Sequence, residues 1–307
     1  MTVDVIIPTY KPDFNFCLLI EKLNKQTINI NKIIIMNTEE KYFDSMFHGS
    51  HYLVEHKNLE IRHISRKEFD HGKTRNIGAS KSNADFMIFM TQDAIPESDM
   101  MIEDLLKPFS DPDVAVSYAR QLPTEQSTAA ERITREFNYP ECSQIKSKED
   151  MEALGIKTFF CSNVCCAYRR DIFLKQKGFI NHTIFNEDMI YAAGVISAGY
   201  KVSYTANARV FHSHNYSARQ QFHRNFDLGV SQANHPEIFL QISSKSEGIK
   251  LVRTTIDKLK EEHKRTEILP YIIMSGFKYM GYQFGISYKK LPNKLVRRCS
   301  MNKEYWN

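Results

Sequence analysis

Apolar positions along this chain alternate between two rhythms. Val3-Asp4-Val5-Ile6-Ile7-Pro8 is a short strand-like run stopped by proline, and residues 14–26 then place Phe14, Cys17, Leu18, Ile20 and Leu23 at near-helical spacing. The isoleucine-rich run from Lys32 to Met36 predicts a second strand. The alternation from Leu59 to Ile64 predicts a third, and residues 73–83 read as a helix. Phe86 to Met90 is a further buried run, followed by a helix over 98–107 and a strand from Val114 to Tyr118. Beyond it the pattern predicts a helix over 127–137, a loop over 141–150, a strand from Thr158 to Tyr168, a helix over 187–199, a strand from Val202 to Phe211 and a helix over 217–228. Continuous apolar strands, each followed by an amphipathic helix, predict an α/β fold with a mostly parallel sheet covered on both faces.

Such sheets bind ligands beyond the carboxyl ends of their strands. Polar sequences stand after each of the first four strands, ending at Ile7, Met36, Ile64 and Met90: Pro8-Thr9-Tyr10, Asn37-Thr38-Glu39, the loop Phe69 to Asn76, and Thr91-Gln92-Asp93. Neither GxGxxG nor GxxxxGK[ST] occurs, which disfavours a dinucleotide fold and a P-loop. Asp93, where a buried strand meets a loop, suits a divalent cation shared with a diphosphate, or a simple turn. Glu187-Asp188 opens a helix, and adjacent carboxylates do not face each other there. One can therefore enter a site while the other braces or caps. His212 and His214 alternate in an extended segment and point to one side, so one or both could ligate a metal or bind phosphate. Arg219 to Arg224 follows, able to neutralise phosphate or to serve as a solvated helix face.

Charge and composition narrow the picture. The 307 residues are 42% apolar and 25% charged, ordinary globular values. No apolar run reaches the roughly 18 residues of a membrane span, and the start MTVDVIIP reads directly as a strand, so a cytoplasmic protein is expected. The net charge of +5 is uneven: residues 245–307 carry 14 Lys and Arg against 6 Asp and Glu. That stretch reads as an amphipathic helix over 250–263, then an aromatic-rich apolar run over 268–288, then Lys289, Lys290, Lys294, Arg297 and Arg298. Apolar residues beside a basic cluster suit an anionic membrane surface, while packing on the body or a homodimer interface is the other use of such a segment. The six cysteines form no CxxC and read as reduced core thiols. A nucleic-acid-binding module is the non-enzyme alternative; its basic and aromatic residues would lie outside the alternating body, so no nucleic acid is expected.

Taken in order, these motifs resemble the inverting family-2 glycosyltransferases with the GT-A fold, over roughly residues 1–230. VIIPTY at 5–10, FDHGKTRNIG at 69–78, TQDAIP at 91–96 and NED at 186–188 carry the resemblance, and the second and third look especially like bacterial rhamnosyltransferases of cell-wall or O-antigen polysaccharide synthesis. The resemblance implies a GT-A domain over 1–230, with a nucleotide-sugar half near 1–120 and an acceptor half near 121–230, and a helical basic C-terminal region over 231–307. It implies dTDP-rhamnose as donor, or a UDP-sugar in a related hexosyl- or N-acetylhexosaminyl-transferase, and a lipid-linked saccharide acceptor at the inner membrane face. Pro8, Thr9 and Tyr10 would line the nucleoside pocket, with Asn37 and Glu39 at base or ribose. His71, Gly72, Arg75 and Asn76 would cover the base and reach the diphosphate, joined by Gln92, Asp93 and Arg224. Asp188 would be the catalytic base beside Glu187, and Asp93 with His212 would hold Mn²⁺ or Mg²⁺. Thr91 and Asn225 depart from the family pattern, where a first carboxylate and a tryptophan usually stand.

Overall fold

The computed structural model describes residues 1–48, 52–239 and 245–306. Nine strands form one sheet: β1 Val3–Tyr10, β2 Lys32–Thr38, β3 Leu59–Ile64, β4 Phe86–Met90, β5 Ile95–Pro96, β6 Val114–Leu122, β7 Gln144–Lys146, β8 Cys165–Arg169 and β9 Lys201–Phe211. Their spatial order is β3-β2-β1-β4-β8-β6-β9-β5, with β7 against β9. The β3-β2-β1-β4 half is parallel, as is the β6–β9 pair. Antiparallel β8 lies between β4 and β6 and joins these two parts.

Period-2 alternation on β1 explains both layers. Val3, Val5 and Ile7 face the helices Phe14–Asn24 and Met101–Leu106, burying Phe16, Leu19, Ile20, Ile102 and Leu105. Ile6 faces the other way, into a cluster with Ile34, Met36, Met87, Phe89, Tyr168 and Tyr191. Each such side chain, fully buried, contributes about 1.5–3 kcal/mol.

Two local expectations need correction. The strand expected from Thr158 is confined to Cys165–Arg169. The residues before it turn away from the sheet because the Asn163 N–H donates to Asp188 instead of to a neighbouring strand. The expected loop 141–150 contains β7, which extends the sheet at β9. Of the cysteines expected in the core, Cys161, Cys165, Cys166 and Cys299 are buried, but Cys142 is exposed and Cys17 lies between; all six are free.

The expected boundary at residue 230 falls inside the helix Ala218–Asn234. The helix Ile268–Ile286 packs along it, backbone against backbone. A Cβ at Gly281 would lie 2.2 Å from the Phe222 carbonyl oxygen, and one at Gly285 would lie 2.1 Å from that of Phe226. Tyr282 donates to Gln232 at 2.8 Å. The helix Lys245–Glu261 leans on the helix Ala129–Asn138 through buried Leu259 and Ile133, with Lys258 paired to Glu136 at 3.1 Å. The last turns then fold back: Asp227 accepts from the Met301 and Asn302 amides. Among the described residues, no helix is long and apolar enough to cross a membrane. The outer side of Ile268–Ile286 nevertheless exposes Leu269, Ile272, Ile273, Tyr279, Met280 and Phe284.

Gly281→Ala is therefore expected to lower the unfolding free energy by about 1–3 kcal/mol by forcing the helices apart. Gly276→Ala, on the same helix with nothing within 4 Å of its Cβ position, should be neutral or stabilising by up to about 1 kcal/mol. Paired urea titrations check this; equal effects at the two positions would refute the close-approach reading.

Candidate active site

The ends of β1 and β2 are held rigidly. The Tyr10 N–H donates to Gln92 Oε1 at 2.8 Å, and Gln92 Nε2 donates to the Tyr10 carbonyl at 3.1 Å. Thr9 donates to the Asn37 amide oxygen at 3.2 Å, and the Asn37 Nδ2 donates to His63 at 2.9 Å. Glu39 sits in the left-handed region (φ 66°) and accepts from the Arg66 amide at 2.9 Å. Non-glycine strain of this kind persists where surrounding bonds over-determine it.

The loop after β3 leads into the helix His71–Ala79. Asp70 caps it, accepting from the Gly72 and Lys73 amides, while its other oxygen accepts from the Thr183 amide at 3.0 Å. Asn76 grips Phe179 at both its N–H and its carbonyl. Gly72 must be glycine: a Cβ there would lie 1.8 Å from the Ile180 carbonyl oxygen. The 69–78 motif thus clamps the 179–183 segment, which delivers Asn186, Glu187 and Asp188.

Asn186 takes a left-handed turn (φ 64°) and donates to Ser231 at 3.2 Å. Glu187 turns inward and pairs with Arg75 at 3.1 Å, both almost fully buried. Burial opposes its charge, but Arg75 and the Asn163 side-chain amide outweigh it and hold the Glu187 carboxyl below the usual range. Asp188 diverges from it, as helix geometry requires. Burial, and then the Glu187 charge, push the Asp188 carboxyl up to about 7, against the opposing donation of the Asn163 and Met189 amides. Two adjacent carboxylates are thereby split into a fixed anion and a group that titrates near neutrality.

Across the cleft, His212 Nε2 lies 3.7 Å from one Asp93 oxygen and His214 Nε2 lies 3.4 Å from the other. The three ligand atoms fall within 4.8 Å of one another. Burial pushes the His212 imidazole down to about 3, so it is neutral and available as a ligand. Gln121 orients it at Nδ1, at 3.0 Å. Neutral imidazoles and a carboxylate suit a divalent first-row ion. Arg224 stacks on Phe185, 4.6 Å from the ring centre.

Two connected hollows make up the cleft. One, about 410 Å³, is walled by Tyr10, Phe69, Arg66 and the chain's last turns at Met301, Asn302 and Glu304. The other, about 580 Å³, contains Arg75, Glu187, Asp188, His212 and His214. His71, Phe185, Tyr216 and Arg224 border both. Of the residues expected from sequence, Tyr10, His71, Arg75, Glu187, Asp188, His212 and Arg224 line these walls, with Asp93 against the two histidines. Thr9, Asn37, Glu39, Gly72, Asn76 and Gln92 instead brace the walls through the contacts above, and half-buried Pro8 lies within β1. Sequence reading missed Asn163, Gln121, Arg135 and Lys278. Asn163 was hidden in a stretch read as strand, whereas Lys278 had a visible signal, a single charge within an apolar helix.

Residues 4–175 match the family described as Glycosyl transferase family 2. The O-antigen chain rhamnosyltransferase RfbN of Salmonella typhimurium is 40% identical over 310 residues, covering 100% of this chain and 96% of the relative. The O-antigen chain rhamnosyltransferase WbaN of Salmonella anatum is 43% identical over 247 residues, 80% of this chain and 78% of the relative. Among solved structures, the mannosyltransferase PcManGT from Pyrobaculum calidifontis in complex with GDP-Man and Mn²⁺ superposes with a TM-score of 0.61 at 12% identity, over 94% of this chain and 87% of that one. Residues 1–349 of S. aureus TarS in complex with UDP-GlcNAc give 0.53 at 13% identity, over 94% and 92%. These two likenesses show the GT-A arrangement of the fold.

The carboxylate pair carries its own test. Glu187→Gln removes the negative neighbour of Asp188, so the ionised form becomes easier to reach and its titration should move below about 7. Carbon-13 NMR of the Asp188 carboxyl would detect the shift, and an unchanged titration would refute the coupling. The same substitution leaves Arg75 buried without its counter-charge, at a cost of about 3–5 kcal/mol in stability.

Proposed function

The chain belongs to glycosyl transferase family 2, and from that premise we propose that it transfers rhamnose from dTDP-rhamnose, with inversion, to a lipid-linked saccharide in bacterial surface polysaccharide synthesis. One observation carries the reading: Asp188, a carboxyl pushed up to about 7 by its burial and by Glu187, shares a cleft with Arg224 and with the histidines that face Asp93. The 40% and 43% identities to O-antigen rhamnosyltransferases support rhamnose as the sugar.

In this mechanism an acceptor hydroxyl attacks the anomeric carbon from the face opposite the nucleotide. The new oxygen–carbon bond forms as the carbon–oxygen bond to the diphosphate breaks, and that electron pair leaves with the nucleoside diphosphate. Asp188 takes the hydroxyl proton, a contribution of about 10²–10⁴-fold. Its raised titration fits a general base poised near physiological pH. Glu187 stays ionised against Arg75 and sets that titration. Arg224 faces the charge gathering on the departing diphosphate. Asp93, His212 and His214 would hold the divalent ion, which supplies further positive charge to the diphosphate, and two imidazoles favour Mn²⁺ over Mg²⁺.

The outer face of the helix Ile268–Ile286 supports the membrane part of the reading. Its exposed apolar side chains are followed in the chain by exposed Lys289, Lys290, Lys294, Arg297 and Arg298. This combination suits peripheral binding at an anionic leaflet, worth about 1 kcal/mol per basic residue.

Release of product nucleotide, measured for dTDP-rhamnose against UDP- and GDP-sugars, should favour dTDP-rhamnose. A preference for a UDP-sugar would replace the rhamnose reading with the hexosyl- or N-acetylhexosaminyl-transferase one. Asp188→Asn should keep donor binding and lose about 10²–10⁴-fold in turnover, whereas Asp93→Ala should weaken donor binding and turnover together. Full activity in excess EDTA would refute the ion at Asp93, His212 and His214.

For the membrane surface, flotation with anionic vesicles at physiological salt should recover the wild-type protein. A variant with the five basic residues changed to Gln should stay behind. Identical behaviour of the two proteins would remove the surface reading.

A further inference from the structure

Gln121 is a buried hub behind the histidine pair. It is the last residue but one of β6, opposite Val210 of β9, and the next pair is Leu122 with Phe211. The His212 N–H then donates to the Leu122 carbonyl at 3.0 Å, so the strand register sets this histidine beside Gln121. Both ends of the Gln121 amide are engaged. Its nitrogen donates to the Tyr139 hydroxyl at 2.5 Å and to Ser162 Oγ at 3.0 Å. Its oxygen meets Arg135 and, at 3.0 Å, His212 Nδ1. Arg135 is itself held by Glu131, one turn earlier on the helix Ala129–Asn138, at 2.9 Å.

Donor and acceptor identities follow from these contacts. A guanidinium only donates, so the amide atom that faces Arg135 is the oxygen. An amide oxygen only accepts, so His212 Nδ1 must bring the proton. In the neutral ring the lone pair then lies on Nε2, which faces an Asp93 oxygen 3.7 Å away. Two acceptors confront each other there, an arrangement that a cation between them satisfies. No acceptor among the described residues fixes Nδ1 of His214 in this way. We propose that Gln121, locked by Arg135, is a positioning residue that sets the tautomer of His212 and reserves its Nε2 for a divalent ion. The inference deepens the glycosyltransferase reading and rests on its ion at Asp93, His212 and His214. Gln121 and Arg135 act on that ion through the imidazole, as hydrogen bonds behind metal-bound histidines generally do.

The test needs neither sugar donor nor acceptor. Long-range nitrogen-15 NMR of the full, metal-free chain at neutral pH should find the His212 proton on Nδ1. Gln121→Glu keeps an acceptor for both Arg135 and His212, so it should retain that tautomer and bind Mn²⁺ at least as tightly as the wild type. Gln121→Met removes the acceptor. The proton should then move toward Nε2, and affinity for Mn²⁺ alone, read from the EPR signal of the free ion, should fall about 10–100-fold. Arg135→Met leaves Gln121 in place with its amide free to turn, and should move the proton the same way; it carries the test if Gln121→Met does not fold. A wild-type His212 protonated on Nε2, or on both nitrogens, overturns the proposal. So does a proton that stays on Nδ1 in the methionine variants, or wild-type Mn²⁺ affinity in a variant whose proton has moved. If the wild-type chain takes up no Mn²⁺, the ion of the proposed function is refuted, while the position of the proton still decides the role of Gln121.

Discussion

The buried ion pair between Arg75 and Glu187 is the constraint on which the site depends. It joins the helix after β3 to the helix that carries Asp188, two elements more than 100 residues apart in the chain. Burying two charges is costly unless the geometry is good and other hydrogen bonds complete it. Here Asn163 supplies a second donor to Glu187, and the His71 carbonyl accepts from Arg75. The pair also sets the electrostatics of its neighbour. Burial and then the Glu187 charge raise the Asp188 carboxyl, while Arg75 holds Glu187 below the usual range, which separates the two although they are adjacent in sequence.

Around this pair, much of what looks like ligand-binding sequence acts as scaffolding. Asp70, Gly72 and Asn76 bind a backbone segment, and Gln92 binds the end of β1. Their polar groups are spent on holding loops at the strand ends, where the sheet leaves backbone groups without ladder partners. Arg75 and Glu187, which face the cleft, are consequently held in place, as preorganised electrostatics requires.

The C-terminal helices belong to this framework. Gly281 and Gly285 allow the helix Ile268–Ile286 to pack on Ala218–Asn234, the helix that carries Arg224, and the last turns reach the hollow beside Tyr10 and Phe69. A segment whose composition suggests a surface attachment therefore also closes the cleft from one side.

By itself, the sequence determined the layered α/β sheet, because burial on two faces dictates continuous apolar strands whatever their order. It also determined that chemistry gathers at the strand ends, and the family motifs singled out Asp93, Asp188, His212 and Arg224. It left open which histidine takes part; the tertiary structure turns both toward Asp93, since alternate residues of an extended segment share a side. Only the folded chain revealed Asn163, whose amide stops a strand to serve Asp188, and Lys278, whose ammonium reaches the cleft because two glycines bring its helix close. Local pattern reports on burial and period. It carries no record of which distant backbone a polar group will meet, and that meeting decides whether a residue braces a wall or faces a substrate.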